Sequence, residues 1–385
     1  MKNASASAAQ RRAKMEKIKT DSAVKKVREP LFHVSRRDAM PIWQSMLIRI
    51  GAILIAFFIS AIFIGASSPD GNFGLFFKSM FKGAFGTARD RWVLVRDTAL
   101  LLGVGIALSA AFKMKFWNLG GNGQILVGAL ATTACMYYLG GEIADALLYP
   151  IMIVASVVAG ALWALIPAIF KAYFKTNESL FTLMMNYIAA GLIEFFISVW
   201  YPRGSGSMSP MKHGNLPQIG NEFLLPIIVV ALITGLIFVY FRYSKHGYEI
   251  SVVGESENTA KYIGINVKKV IMRTLILSGA ICGIIGLLLS GSINYGVVSA
   301  NSADNRGFTA IIVAWLAKFD PFVMILTSFF ISFLSRGMSQ VRRDFGFTNN
   351  ALTSVVVAII YFFVIGCEFF ITYKLSVKKS NKEKK

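Results

Sequence analysis

Cysteine and histidine are nearly missing from this chain, with three of each in 385 residues. Cys135, Cys282 and Cys367 all sit inside apolar runs, where a small thiol packs, so no disulfide framework is expected. His33, His213 and His246 are far apart and have no carboxylate or cysteine cluster at ligand spacing, so no metal site is expected. No G-x-x-x-x-G-K-S/T loop occurs, so the chain has no phosphate cradle of its own for hydrolysing a nucleotide. Nor does the sequence assemble a nucleophile, a base and an orienting group, which argues against an enzyme. Charged residues make up only 16%, and acidic ones number 20 against 40 Lys and Arg.

What fills the chain is apolar. Hydrophobic residues reach 55%, and they lie in runs of the ~20 residues that a helix needs to cross a hydrocarbon core. Clear spans are expected at 47–66, 146–170, 180–201, 223–243, 270–290 and 351–373. Two further regions, 98–139 and 308–334, each hold two apolar runs around an interruption. Each is expected to form a pair of spans or a pair of broken, partly re-entrant helices. The fold class is therefore all-α, a polytopic membrane protein of about 8–10 transmembrane helices including broken or re-entrant ones. The first run starts near Met46, too late for a short basic leader, and reads as a membrane anchor rather than a cleaved signal.

A formal charge of +20 would suit nucleic acid, but the placement of the charges points to topology instead. Lys and Arg gather in residues 1–45 and after Tyr373, and basic stretches beside apolar spans face the cytoplasm. Both termini are therefore expected there. Residues 1–45 form a basic, disordered tail, 46–373 the transmembrane domain with a cytoplasmic segment at 244–269, and 374–385 a second basic tail. The tails are expected to contact anionic membrane lipid, not nucleic acid. Counting spans puts 67–97 and the turn-rich 202–222 outside, and 171–179 inside. Lys171, Lys175, Arg242, Lys245, Lys261, Lys268 and Lys269 then fall inside, as the rule requires. Arg336, Arg342 and Arg343 come out external, against it.

Within the first interrupted region, Phe116-Trp117-Asn118-Leu119-Gly120-Gly121-Asn122-Gly123-Gln124 places amides and glycines where lipid or packed protein should surround them. A bare polar group costs several kcal/mol in hydrocarbon, so such a segment lines a cavity or marks broken helices. It lacks the strand-turn-helix surroundings of a dinucleotide turn. The amides of Asn118, Asn122, Gln124 and Asn186 both donate and accept hydrogen bonds, which suits a neutral polyhydroxylated solute, and Phe116, Trp117 and Phe181 could stack on a flat ring. The competing reading is that the amides bridge helices. Glu194 and Glu368 lie toward the ends of apolar spans and are the candidates for an ion path, or for a headgroup-level position. Gly279, Gly283 and Gly286 recur at helical spacing, as close helix contact requires.

The stretch after Gly254 is the second strong feature. Glu255, Ser256, Glu257, Asn258, Thr259, Ala260, Lys261, Tyr262, Ile263 and Gly264 read as a short helix, with acidic residues early and glycine at the end. It is either a solvated connector or a docking helix for a soluble partner.

Four ordered motifs carry a resemblance across 98–373. The box from Ala111 to Gln124 resembles the F-N-I-G-A-E-G-Q box of bacterial ATP-binding cassette (ABC) permeases of the ribose and branched-chain amino acid type. Asn177 to Ala189 looks like the N-E-x-x-x-T-x-M-x-N-Y-I-A segment of the nucleoside-uptake branch. Gly254 to Ile265 is similar to its coupling segment, and Gly307 to Leu316 to its G-F-x-G-I-A-V-A-L-L box. Asn122 stands where the family commonly has glutamate, and Ala310 and Trp315 depart from the fourth box.

The resemblance implies an importer subunit of the bacterial cell membrane. It would work with a second permease subunit, commonly in a heterodimer, with two cytoplasmic ATPase subunits, and with an extracellular substrate-binding lipoprotein. It implies no cofactor on this chain, ATP being used by the partners. It assigns the substrate path to the amides and aromatics named above, and ATPase coupling to Gly254, Glu255, Asn258, Ala260, Tyr262 and Gly264. A sugar permease of the ribose or galactose type and an ion-coupled secondary transporter are the alternatives.

Overall fold

The computed structural model describes residues 32–37, 40–67, 73–201, 208–348 and 351–377. They divide into two compact units, Met1–Ser60 with Ala358–Lys385, and Ala61–Val357. Among the described residues eight helices are long and apolar enough to cross a membrane, and the all-α polytopic class stands.

In the first unit, the strand β1 (Phe32–Arg36) pairs antiparallel with β2 (Tyr373–Val377), Phe32 opposite Val377 and Arg36 opposite Tyr373. This differs from the expectation of a disordered tail over that stretch. Met1 to Leu31 and the tail from Lys378 lie outside the described residues. The helices that enter this unit are α1 (Ile42–Ala66) and α13 (Ala351–Thr372).

The second unit is built around α3 (Ala88–Lys113), α4 (Gly121–Leu139), α5 (Asp145–Phe174) and α10 (Val267–Leu288). Its other long helices are α6 (Glu178–Trp200), α7 (Leu224–Tyr243) and α12 (Pro321–Asp344). Shorter ones are α2 (Phe73–Phe85), α8 (Lys245–Glu255), α9 (Glu257–Tyr262) and α11 (Arg306–Leu316).

Local chemistry sets the starts of these helices. Thr87 and Asp90 form a capping box on α3, Asn177 caps α6, Asn266 caps α10, and Asp320 caps α12 just before Pro321. The core is held by a glycine seam. A side chain at Gly160 of α5 would strike the Gly279 carbonyl of α10, one at Gly283 the Ser156 carbonyl, and one at Gly286 the Ile125 carbonyl. Three backbones thus touch with nothing between them, the arrangement small residues allow in membrane bundles.

The polar ends are sorted. At one end, Lys113 lies over Phe241 and Lys268 over Tyr173. A buried cluster there joins Ala111, Met114 and Phe116 to Ala168, Val253, Ala260 and Val270. This is the end that the positive-inside tendency expects in the cytoplasm. At the opposite end Trp92 stacks on Phe223, and Arg336 Nε donates to Asp97 Oδ2 at 2.7 Å. Arg336, one of the three arginines expected on the outer side, thus has a carboxylate partner on α3, which it shares with Arg96.

Several expectations change in detail. Region 98–139 gives α3, one of the eight helices long and apolar enough to cross a membrane, and the 19-residue α4, which is not among them, whereas 308–334 gives the short α11 followed by the full-length α12. The outer segment 67–97 contains α2, which buries Phe76, Met80 and Gly83 and leaves Lys78 and Lys82 outside its buried face. The outer loop is not a loose turn over its described part. Met208 is buried, Met211 N–H donates to Tyr295 O at 2.8 Å, and Leu216 N–H to Gly291 O at 2.9 Å. The acceptor Gly291 belongs to a π-helical turn, Leu289–Ile293, that ends α10. Pro202 to Ser207 lie outside the described residues.

Candidate functional site

The break between α3 and α4 is splinted by α6. After Lys113 the chain turns at Lys115, which has φ 57°, and runs without helix to Gly121. A helix start leaves its first N–H groups without partners, and here α6 supplies one to Gly123 and braces the residues just before the helix. Asn186 Oδ1 accepts from Gly123 N–H at 2.7 Å, while its Nδ2 donates to Leu119 O at 2.8 Å. One turn earlier, Thr182 Oγ1 accepts from Leu119 N–H at 3.0 Å. Asn118 Oδ1 accepts from Gly120 N–H at 3.0 Å. The segment that looked costly in the sequence has most of its polar groups paired.

The second interrupted region meets the first at its own break. Asn122 Oδ1 accepts from Gly307 N–H at 2.7 Å, and its Nδ2 lies 3.5 Å from Asn305 Oδ1. The starts of α4 and α11 are so close that a side chain at Gly307 would strike the Asn122 backbone. Two helix N-termini, each with a partial positive charge, therefore converge. Beside them lies a cavity of about 370 Å³ lined by Asn122, Leu126, Asn186, Tyr187, Asn301, Asp304, Asn305 and Phe308, among others. Apolar rings with a few convergent polar groups are what a small-molecule site requires.

Of the expected path residues, the structure brings Asn122 and Asn186 to this cavity. Asn118 and Gln124 are buried in the bundle, Asn118 Nδ2 3.4 Å from Ser278 Oγ and Gln124 Nε2 3.4 Å from Asn118 Oδ1. Phe116 belongs to the buried cluster of the basic end, and Phe181 packs on Phe170 with ring centres 4.8 Å apart. Trp117 stacks on Trp315 at 5.1 Å, against Phe112. Tyr187, Asn301, Asp304 and Phe308 are the residues that sequence reasoning missed. For Asn301 and Asp304 the signal was the polar run Asn301-Ser302-Ala303-Asp304-Asn305-Arg306 just before Gly307.

The segment at 244–269 is built onto the same break. Ser244 caps α8 through Gly247 N–H and Ser256 caps α9 through Thr259 N–H, so the short helix expected after Gly254 is α9, and α8 precedes it. Gly264, at φ 86°, closes the turn after α9. Gly254 abuts the Lys113 carbonyl, where any side chain would collide with it, and Ala260 is fully buried. Glu255, Asn258, Tyr262 and Gly264 are exposed, Tyr262 to 93%. Among the described residues no group of three or more His, Cys, Asp or Glu could hold a metal ion.

A family model described as branched-chain amino acid transport system / permease component matches residues 91–365. The glucose ABC transporter permease protein TsgB13 of Haloferax volcanii is 27% identical over 89% of this chain and 92% of its own length. The guanosine ABC transporter permease protein NupP of Bacillus subtilis is 28% identical over 79% of this chain and 90% of its own. The nucleoside ABC transporter permease protein NupB of Lactococcus lactis is 24% identical over 88% and 95%.

Proposed function

The chain belongs to the branched-chain amino acid transport system permease family, and from that premise we propose that it carries nucleosides as the translocating subunit of an ATP-driven importer. It is a multi-pass membrane protein and a transport component. The observation that carries the reading is the meeting of two helix breaks at Asn122 and Gly307, beside a polar cavity, with the cytoplasmic segment resting on one of those breaks through Gly254. A push on α8 reaches the α3–α4 turn directly, and the turn is hydrogen-bonded to the cavity wall. ATP hydrolysis belongs to two cytoplasmic subunits docked on the exposed face of Glu255, Asn258 and Tyr262. A binding lipoprotein delivers solute on the outer side.

A second permease subunit, of a different sequence, completes the path. Supporting this, Tyr187 lines the cavity yet is 67% exposed, and Leu180, Met184 and Ile188 on the same helix are exposed too. One chain thus leaves the cavity with an unfinished side.

The sugar-permease reading is favoured by the likeness to a glucose permease over most of both chains. Uptake of labelled guanosine by the assembled transporter, challenged with excess free glucose or ribose, separates the two. Undiminished guanosine uptake supports the nucleoside reading, and suppression by the sugar overturns it. An ion-coupled transporter predicts uptake that survives ATP depletion and collapses with an uncoupler. Its candidate Glu368 is instead paired with Arg49.

A further inference from the structure

The wall of the cavity beside Asn122 is shared. On its other side lies a second cavity of about 410 Å³, against Leu289 and Ile293 of the π-helical turn. Asn301 and Asp304 line both. The chain between the cavities is tethered at each end. Gly296 N–H donates to Ser290 O at 2.8 Å at its start, and Asn122 holds Asn305 and Gly307 at its finish.

Asp304 and Asn305 both adopt left-handed backbone, at φ 47° and 52°. That turn sets the two neighbouring charges differently. The Asp304 side chain is 79% exposed, whereas that of Arg306 is 17% exposed, with its Nη1 3.5 Å from the Ala303 carbonyl and its Nη2 3.7 Å from Asp304 Oδ2. The guanidinium is drawn into the wall, while the carboxylate, which lines both cavities, stays open to them. Two of the amides on the Asn122 side are already engaged by the chain itself. Both polar atoms of Asn186 and the oxygen of Asn122 are bound to backbone or capping positions.

We propose that Asp304 is a specificity-determining residue that reads adjacent hydroxyl groups as the solute passes between the two cavities. An ionised carboxylate only accepts hydrogen bonds, and its two oxygens match two neighbouring O–H donors, as on a ribose ring or a hexose. This rests on the reading above of a path for polyhydroxylated solutes, and deepens it by naming the group that is recognised.

The test compares Asp304→Asn and Asp304→Gly with the wild type in the complete transporter, reconstituted in vesicles. Both replacements tolerate a positive φ, so the wall keeps its turn. Guanosine and 2′,3′-dideoxyguanosine are each supplied at a concentration that saturates delivery, so the ratio of maximal uptake rates reports the permease. That ratio is expected to fall by on the order of tenfold in both variants, the size of one lost charged hydrogen bond. An unchanged ratio overturns the proposal. An equal loss of both solutes also overturns it, because Asp304 then serves only the shape of the wall. If the wild type moves glucose and no guanosine, the nucleoside reading fails separately. The ratio of glucose to 2-deoxyglucose then tests Asp304 in the same way.

Discussion

Arg49 of α1 and Glu368 of α13 form an ion pair inside two apolar helices, with Nη2 2.5 Å and Nε 2.8 Å from the same carboxylate oxygen. The pair removes the need for a proton path at Glu368, since an intramembrane charge needs a partner before it needs a function. Glu368→Gln is expected to lower thermal stability of the purified chain by about 1–3 kcal/mol, less than a fully buried pair would lose. ATP-driven uptake by the protein that does insert is expected to persist. The swap Arg49→Glu with Glu368→Arg should recover part of the stability. Abolished uptake in a stable Glu368→Gln protein would return this residue to the transport path.

Asn186 gives a second prediction. Replacing it with Ala leaves Gly123 N–H and Leu119 C=O without their partner at a buried helix break. Each lost partner costs about 1–3 kcal/mol, so Asn186→Ala should lower the melting temperature markedly. Asn186→Asp keeps the acceptor for Gly123 but sets a carboxylate against the Leu119 carbonyl, and should not rescue it. A melting curve like that of the wild type for either variant would show that α6 does not splint the break.

Two glycines, Gly283 of α10 and Gly191 of α6, separate packing from composition. Gly283 sits against the Ser156 carbonyl, while Gly191 has nothing within 4 Å of an added Cβ. Gly283→Ala is expected to destabilise the isolated subunit by about 3 kcal/mol or more through overpacking. Gly191→Ala should stay within about 0.5 kcal/mol of the wild type or gain slightly, as Ala favours helix. Thermal unfolding of both in detergent decides, and equal losses would remove the glycine seam as the reason α4, α5 and α10 touch.

On the cytoplasmic segment, Ala260 and Tyr262 should behave differently. Ala260 is fully buried, so Ala260→Lys is expected to damage folding as well as uptake, and a loss of uptake there says little about docking. Tyr262 is 93% exposed, so Tyr262→Ala should leave the melting temperature within ~0.5 kcal/mol equivalent of the wild type. It should nevertheless weaken copurification of the ATPase subunits and cut uptake at least tenfold. Full uptake by Tyr262→Ala would place the docking face elsewhere.

How much of this was legible in the sequence follows from the reach of each signal. The spans 47–66, 146–170, 180–201, 223–243, 270–290 and 351–373 all appear, because hydrocarbon thickness imposes one length on every crossing. The breaks were visible as polar interruptions. What joins them was not, since Asn122 meets Gly307 across 185 positions and Asn186 meets Gly123 across 63. The helix α2 escaped because Lys78 and Lys82 interrupt a 13-residue stretch too short to register as a span. The pairing of β1 with β2 escaped because the lysines around it read as tails, while a ladder depends on a partner from the far end of the chain. The amides were read correctly as groups that donate and accept. Asn122 and Asn186 bond mainly to the chain's own backbone, and they share the cavity wall with the missed Asn301 and Asp304.

The contact of Gly254 with the Lys113 carbonyl has no side chain to bend, rotate or melt. A joint of bare backbone leaves no side chain to absorb a displacement, so α8 and the α3–α4 turn are expected to move together.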